Sequence, residues 1–131
     1  MRKILNFGHT VGHAIELLSG FTLSHGDAVA IGMTLESTAA EHAGITEPGT
    51  TTRLGATLGR LGLPTTRPAG PSPDDILDVM RGDKKSRAGT IEYAVPTRIG
   101  VMAGATLGYG VRIDDTIMKT VLSDERAGGD R

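Results

Sequence analysis

Residues Asn6 to Met33 read NFGHTVGHAIELLSGFTLSHGDAVAIGM. This stretch decides how the chain is read, because it holds three of the four histidines: His9, His13 and His25. His9 and His13 stand four apart, which on a helix places both on one face. Such a pair can chelate a metal ion, and a third ligand on a neighbouring element would complete an open site. His25, in the loop Ser24-His25-Gly26 ahead of a helix, qualifies as that third ligand. A proton relay and a group of ordinary polar residues are the competing readings. For any single histidine the ordinary reading is the better one. For three within seventeen residues, in a glycine-rich frame, a site is favoured. Spacing leaves open which of them bind metal and which move protons.

Working outward, the chain of 131 residues is long enough for one modest domain with one core. Its hydrophobic content of 38% and net charge of -1 fit a globular chain, and favour a small-molecule ligand no less than nucleic acid or an anionic membrane. Neither nucleic-acid binding nor membrane association is expected. With no cysteine there is no disulfide framework and no thiolate site, so a metal here must use imidazole and carboxylate, which suits zinc or a similar divalent ion. No apolar run reaches spanning length and no signal-peptide core is present, so the cytoplasm is the expected compartment. Aromatic residues are only 3%, and the dense polar-glycine motif follows Met1 almost at once. The chain is therefore expected to be part of a larger protein.

The remaining pattern is mostly helical. Leu5 to Leu18 is helix-compatible, with Asn6 as a cap, although Gly8 and Gly12 each cost up to about 1 kcal/mol relative to Ala. Those glycines suit close approach of another backbone or a ligand. Asp27 to Ala43 is the clearest helix, with negative charge at its start and Gly44 beyond its end. Thr46-Glu47-Pro48 resembles the start of the next, running to about Leu61. PTTRPAGPSP is a connector, and Ser72-Pro73-Asp74-Asp75 forms a capping-box pattern opening a helix to about Arg81. GDKKSRAG then reads as a basic loop and TIEYAVP as a strand, with a small hairpin expected around Thr90 to Met102. Asp114-Asp115 caps a last helix to about Leu122, and residues 123–131 read as a flexible tail. The fold class is mainly α: five or six helices with a small β-hairpin.

Outside the histidine stretch the candidates are weaker. Lys84 and Lys85 in Asp83-Lys84-Lys85 can hold a phosphate or carboxylate as point charges, though most such pairs are solvated surface. Arg2 and Asn6 are four apart and near His9. His42 is read as a favourable charge at a helix C-terminus, and Met33, Leu35 and Met80 as core.

RKILNFGHTVGHAIE, LSHGDAVAIGM, GLP, GDKK and IEYAVPTRIG follow one another in this order. Together they resemble the C-terminal domain of 3-dehydroquinate synthase, a sugar phosphate cyclase of the shikimate pathway that leads to aromatic amino acids. The resemblance spans Arg2 to Leu122, and the family usually has Glu where this chain has Asp27. It implies that residues 1–122 form the metal- and substrate-binding helical half of a two-domain lyase. It also implies that His9 and His25 are metal ligands, that His13 transfers protons, and that Arg2 and Asn6 bind substrate, Arg2 at its carboxylate. Lys84, with Lys85 beside it, would lie at the phosphate and belong to the catalytic set. The division is physically sensible, since a metal needs neutral imidazoles while a proton shuttle needs one left free to titrate.

The implied reaction converts 3-deoxy-D-arabino-heptulosonate 7-phosphate to 3-dehydroquinate and phosphate, using NAD and a divalent metal, Zn2+ or Co2+. The family's N-terminal half carries the nucleotide-binding sheet, a glutamate metal ligand and further lysines. No strand followed by a glycine-rich turn and helix opens this chain, so that half is an expected missing partner, the chain alone is expected to be inactive, and the intact enzyme is expected to be a homodimer. The alternatives are a sister cyclase of secondary metabolism (aminodehydroquinate synthase or 2-deoxy-scyllo-inosose synthase type), a metal-dependent alcohol dehydrogenase, and a non-catalytic helical module pairing with a separate sheet domain. Arg2 with Asn6 argues against the carboxylate-free sisters, and the DKK and LNFGHT motifs argue against the dehydrogenase.

Overall fold

In the computed structural model, residues 7–20, 22–67, 71–85, 91, 93–98, 101–102 and 112–128 are described. They form α1 (His9–Leu18), α2 (His25–His42), α3 (Thr50–Arg60), α4 (Pro73–Lys85), β1 (Pro96–Arg98), β2 (Val101–Met102) and α5 (Asp115–Gly128). The chain is mainly helical. β1 and β2 pair antiparallel, with Pro96 opposite Met102 and Arg98 opposite Val101. The regular strand lies at the end of the alternating stretch; Tyr93 within it makes only an isolated bridge. No described helix is long and apolar enough to cross a membrane.

α2 is the central helix. It packs on α1, α3 and α5, and α4 packs on α1 and α5. A helix covered on several sides must be apolar or small almost all round, and Ala28, Ala30, Ile31, Gly32, Leu35, Ser37, Ala39 and Ala40 of α2 are all buried. Ile31 and Leu35 join Val11 and Ile15 of α1, Ile76, Leu77 and Met80 of α4, Met118, Val121 and Leu122 of α5, and Tyr93 and Val95 in one core. Each such large aliphatic side chain contributes roughly 1.5–3 kcal/mol by leaving water.

α1 and α2 approach through glycine. A Cβ on Gly12 would stand 2.8 Å from the Ala28 carbonyl oxygen, and one on Gly32 would collide with the Gly8 carbonyl oxygen. Gly12 of α1, which costs helix propensity, and Gly32 of α2 thus let the two helices cross backbone to backbone.

Helix starts differ from the sequence expectation in an instructive way. α1 begins at His9 instead of Leu5, with Gly8 at φ 84° in the left-handed region and no side-chain cap of its own. α3 begins at Thr50 instead of near Pro48, again behind a left-handed glycine, Gly49, at φ 94°. Both caps come from α2 instead. The Glu36 carboxylate accepts from the N–H groups of Gly8 (3.0 Å) and Val11 (2.9 Å). The Glu41 carboxylate accepts from Gly49 (3.2 Å) and Thr51 (2.7 Å). Helix N-termini leave unpaired N–H donors, and these side-chain oxygens satisfy some of them.

α2, α4 and α5 use local caps. The Ser24 hydroxyl accepts from the Asp27 N–H at 3.1 Å. Ser72 and Asp75 cap each other reciprocally, at 3.0 Å and 3.3 Å. Asp114 accepts from the Thr116 N–H at 2.8 Å, and the Thr116 hydroxyl and N–H hold its carboxyl below the ordinary range. α2 starts at His25, so that histidine opens a helix instead of ending a loop. α4 continues to Lys85, so Gly82-Asp83-Lys84-Lys85 is helical where a loop was expected, and α5 continues past Leu122 to Gly128. The buried Arg67 guanidinium donates to the carbonyls of Pro71 (2.8 Å) and Leu122 (3.3 Å), tying the connector before α4 to α5.

Candidate functional site

The site forms where α1 and α2 begin. His9 is the first residue of α1 and His25 the first of α2, and the α1–α2 contact brings their rings to 5.2 Å between centroids at an interplanar angle of 57°. His9 is partly buried, while His25 and His13 are exposed. His13 follows one turn after His9 on α1. His9 thus lies against His25, sixteen positions along the chain.

Both rings meet acceptors at Nδ1. The His25 Nδ1 lies 3.0 Å from Oε1 of Glu16, and the His9 Nδ1 makes a long contact of 3.4 Å with the Phe7 carbonyl oxygen. A carbonyl or carboxylate only accepts, so these contacts favour hydrogen on Nδ1, which in a neutral ring leaves the lone pair on Nε2. Two neutral imidazoles with Nε2 available are the donor set a divalent metal takes. They are short of a complete set, since among the described residues no group of three His, Cys, Asp or Glu could hold an ion. A third ligand from other residues is required.

Glu36 supports this site and escaped the sequence reading. It is fully buried, and its cap on α1 fixes the turn that sets His9 in place. Burial pushes its carboxyl up to about 8, opposed by the N–H groups of Val11, Gly8 and Thr10. The signal was present: Glu36 stands four residues after Gly32, within the buried stripe that also holds Leu35, Ala39 and Ala40. Tyr93 is also buried, and its phenol oxygen has no hydrogen-bond partner among the described residues. Burial, and then the charge of Glu36, push that phenol up.

A pH dependence follows. A carboxyl raised from 4.5 to about 8 binds its proton more tightly in the folded state than in the unfolded state. Its contribution is full below pH 4.5, declines as pH rises through the window, and is gone above about 8. The chain should lose a few kcal/mol of stability across that window. In Glu36→Gln this slope should flatten, while an orphaned N–H lowers stability by about 1–3 kcal/mol at low pH. Urea unfolding at several pH values measures both, and an unchanged slope in the variant would refute the assignment.

The other sequence candidates are distributed as follows. Arg2 and Asn6 lie outside the described residues. Lys84 and Lys85 lie in the last turn of α4. His42 is the last residue of α2 and exposed, in keeping with a helix-end charge, and Leu35 and Met80 are core. Met33 is only partly buried and packs beside Gly8. Glu16 was not singled out by sequence, although it shares the α1 face of His9 and His13.

Residues 1–86 match the family described as 3-dehydroquinate synthase C-terminal. The chain is 48% identical over 101 residues to the 3-dehydroquinate synthase of Symbiobacterium thermophilum, covering 76% of this chain and 28% of the relative. It is 44% identical over 103 residues to that of Nostoc punctiforme, covering 78% and 28%. The chain thus spans under a third of the length of these curated relatives. Among solved structures it is similar to 2-deoxy-scyllo-inosose synthase complexed with carbaglucose-6-phosphate, NAD+ and Co2+. That match has a TM-score of 0.79 and 24% identity, over 91% of this chain and 32% of the other. It is also similar to 2-epi-5-epi-valiolone synthase of Streptomyces hygroscopicus with NAD+ and Zn2+ bound. There the TM-score is 0.76 at 24% identity, over 94% and 32%. These two likenesses show the fold. The match over residues 1–86, together with the motifs around His9 and His25, shows that the chain belongs to the 3-dehydroquinate synthase C-terminal family.

Proposed function

We propose that this chain is the metal- and substrate-binding half of a sugar phosphate cyclase, and that the intact enzyme is a 3-dehydroquinate synthase. It would convert 3-deoxy-D-arabino-heptulosonate 7-phosphate to 3-dehydroquinate and phosphate. The observation that carries the reading is the His9–His25 pair, with rings 5.2 Å apart and Nδ1 of each occupied by an acceptor. The choice of 3-dehydroquinate synthase over the sister cyclases is supported by identities of 39–48% to curated enzymes of that name, against 24% to the 2-deoxy-scyllo-inosose and valiolone synthases.

In this reading His9 and His25 hold Zn2+ or Co2+ together with a ligand from the rest of the enzyme. When bound, the ion supplies Lewis acidity at a substrate hydroxyl, and NAD supplies a hydride acceptor that later returns the hydride. The chain's own residues bind and move protons. His13, exposed on α1 and one turn from His9, takes and returns a proton at its ring. Arg2 and Asn6 bind the carboxylate end, and Lys84 or Lys85 the phosphate. The overall change is redox-neutral: a C–H proton is lost, phosphate departs with the C–O bonding electrons, and an aldol step closes the ring.

The chain alone, supplied with NAD and zinc, should release no phosphate from the heptulosonate phosphate. Hydride transfer needs a nicotinamide pocket, and a misplacement of even about 1 Å can cost roughly 100-fold. The chain joined to the N-terminal part of the Symbiobacterium relative should release phosphate. Steady release by the chain alone, abolished by His13→Ala, would overturn the division of labour. Turnover by the joined enzyme only with a carboxylate-free sugar phosphate would favour the sister cyclases.

A further inference from the structure

We propose that Glu16 is a positioning residue for the paired histidines: its carboxylate fixes His25 with hydrogen on Nδ1, so that Nε2 is turned to a divalent metal ion. The purpose of the contact rests on the metal reading above; the contact itself does not.

Four observations carry it. Glu16 is one turn from His13 and two from His9 on the same face of α1, so the helix that presents His9 also presents the carboxylate. Its Oε1 is 3.0 Å from the His25 Nδ1 across the α1–α2 contact. The Glu16 side chain is only 15% exposed whereas that of His25 is 61% exposed, so the carboxylate is the fixed partner and the ring is the group being held. His9 has the same arrangement in weaker form, its Nδ1 facing the Phe7 carbonyl oxygen at 3.4 Å.

The chemistry follows from the donor inventory. A carboxylate cannot donate, so the ring nitrogen facing it must carry a hydrogen, which in the neutral imidazole leaves the lone pair on Nε2. A histidine that ligates a metal almost always donates its second ring N–H to a carboxylate or carbonyl, which fixes tautomer and orientation and raises ligand basicity. Glu16 is a poor candidate for a ligand to the same ion. It occupies the Nδ1 side of the ring, whereas the ion would bind at Nε2, and no three-residue metal group includes it among the described residues. An ordinary surface ion pair would leave the tautomer of a 61% exposed ring to solvent.

Two measurements test it. The first is long-range 1H–15N NMR of the metal-free chain at a pH where the imidazoles are neutral. His25 should be predominantly Nδ1–H. Glu16→Ala should move it toward Nε2–H, while Glu16→Gln, which keeps an acceptor oxygen, should restore Nδ1–H. The second is the zinc dissociation constant of the joined enzyme, which should rise about 10–100-fold in Glu16→Ala. A wild-type His25 in the Nε2–H form, or no tautomer change in Glu16→Ala, overturns the positioning role. Unchanged zinc affinity in Glu16→Ala, with affinity lost in His25→Ala, overturns its metal purpose. Unchanged zinc affinity in His25→Ala itself overturns the metal reading, and the tautomer result then stands separately.

Discussion

His13→Ala in the joined enzyme should keep its divalent ion and lose about 10²–10⁴-fold in turnover, the usual worth of a positioned acid–base group. His9→Ala and His25→Ala should lose the ion and the activity together. The contrast follows from placement. The His9 and His25 ring centroids are 5.2 Å apart, each Nδ1 facing an acceptor, so removing either leaves one imidazole and too few ligands. His13 is exposed on α1, outside that pair. Metal content by mass spectrometry and phosphate release on the same preparations separate the two classes. If His13→Ala strips the ion as completely as His9→Ala, His13 is a ligand and the assignment is wrong.

Gly32→Ala should be the most damaging single methyl that can be added to the described helices. The new Cβ would collide with the Gly8 carbonyl oxygen and come within 2.7 Å of the Gly12 backbone nitrogen. Neither neighbour is the end of a flexible side chain, so α1 must move as a body. Overpacking typically costs 1–3 kcal/mol, and contact with backbone puts this case at about 3 kcal/mol or more. For a chain this size that lowers Tm by roughly 10 °C. The displacement also separates His9 from His25, so metal affinity in the joined enzyme should fall even where the variant remains folded. Gly55→Ala in α3 is the control: nothing lies within 4 Å of its Cβ position, so helix propensity alone should stabilise by up to about 1 kcal/mol. Equal melting temperatures for the two variants would show that the glycine contact between α1 and α2 is not tight in solution.

What the sequence determined by itself was local or carried by motif. The Ser72–Asp75 box and the Asp114 cap could be read directly, because such caps are made by residues within three positions of the N–H they satisfy. The mainly helical class followed from repeated start and stop signals, and the order of the motifs pointed to the family. The starts of α1 and α3 could not be read this way. Their N–H donors are satisfied by Glu36 and Glu41 of α2, and Glu36 stands 28 positions from Gly8. No local rule sees a cap that arrives from another helix. Sequence spacing likewise drew attention to His9 with His13, since four positions is one helical turn. Only the packing of α1 on α2, permitted by the missing side chains at Gly8, Gly12 and Gly32, puts His9 beside His25 and Glu16 behind it. Residue types and their periodicity are properties of the chain, whereas which ring faces which carboxylate depends on how closely two backbones can approach, and that was decided by the tertiary structure.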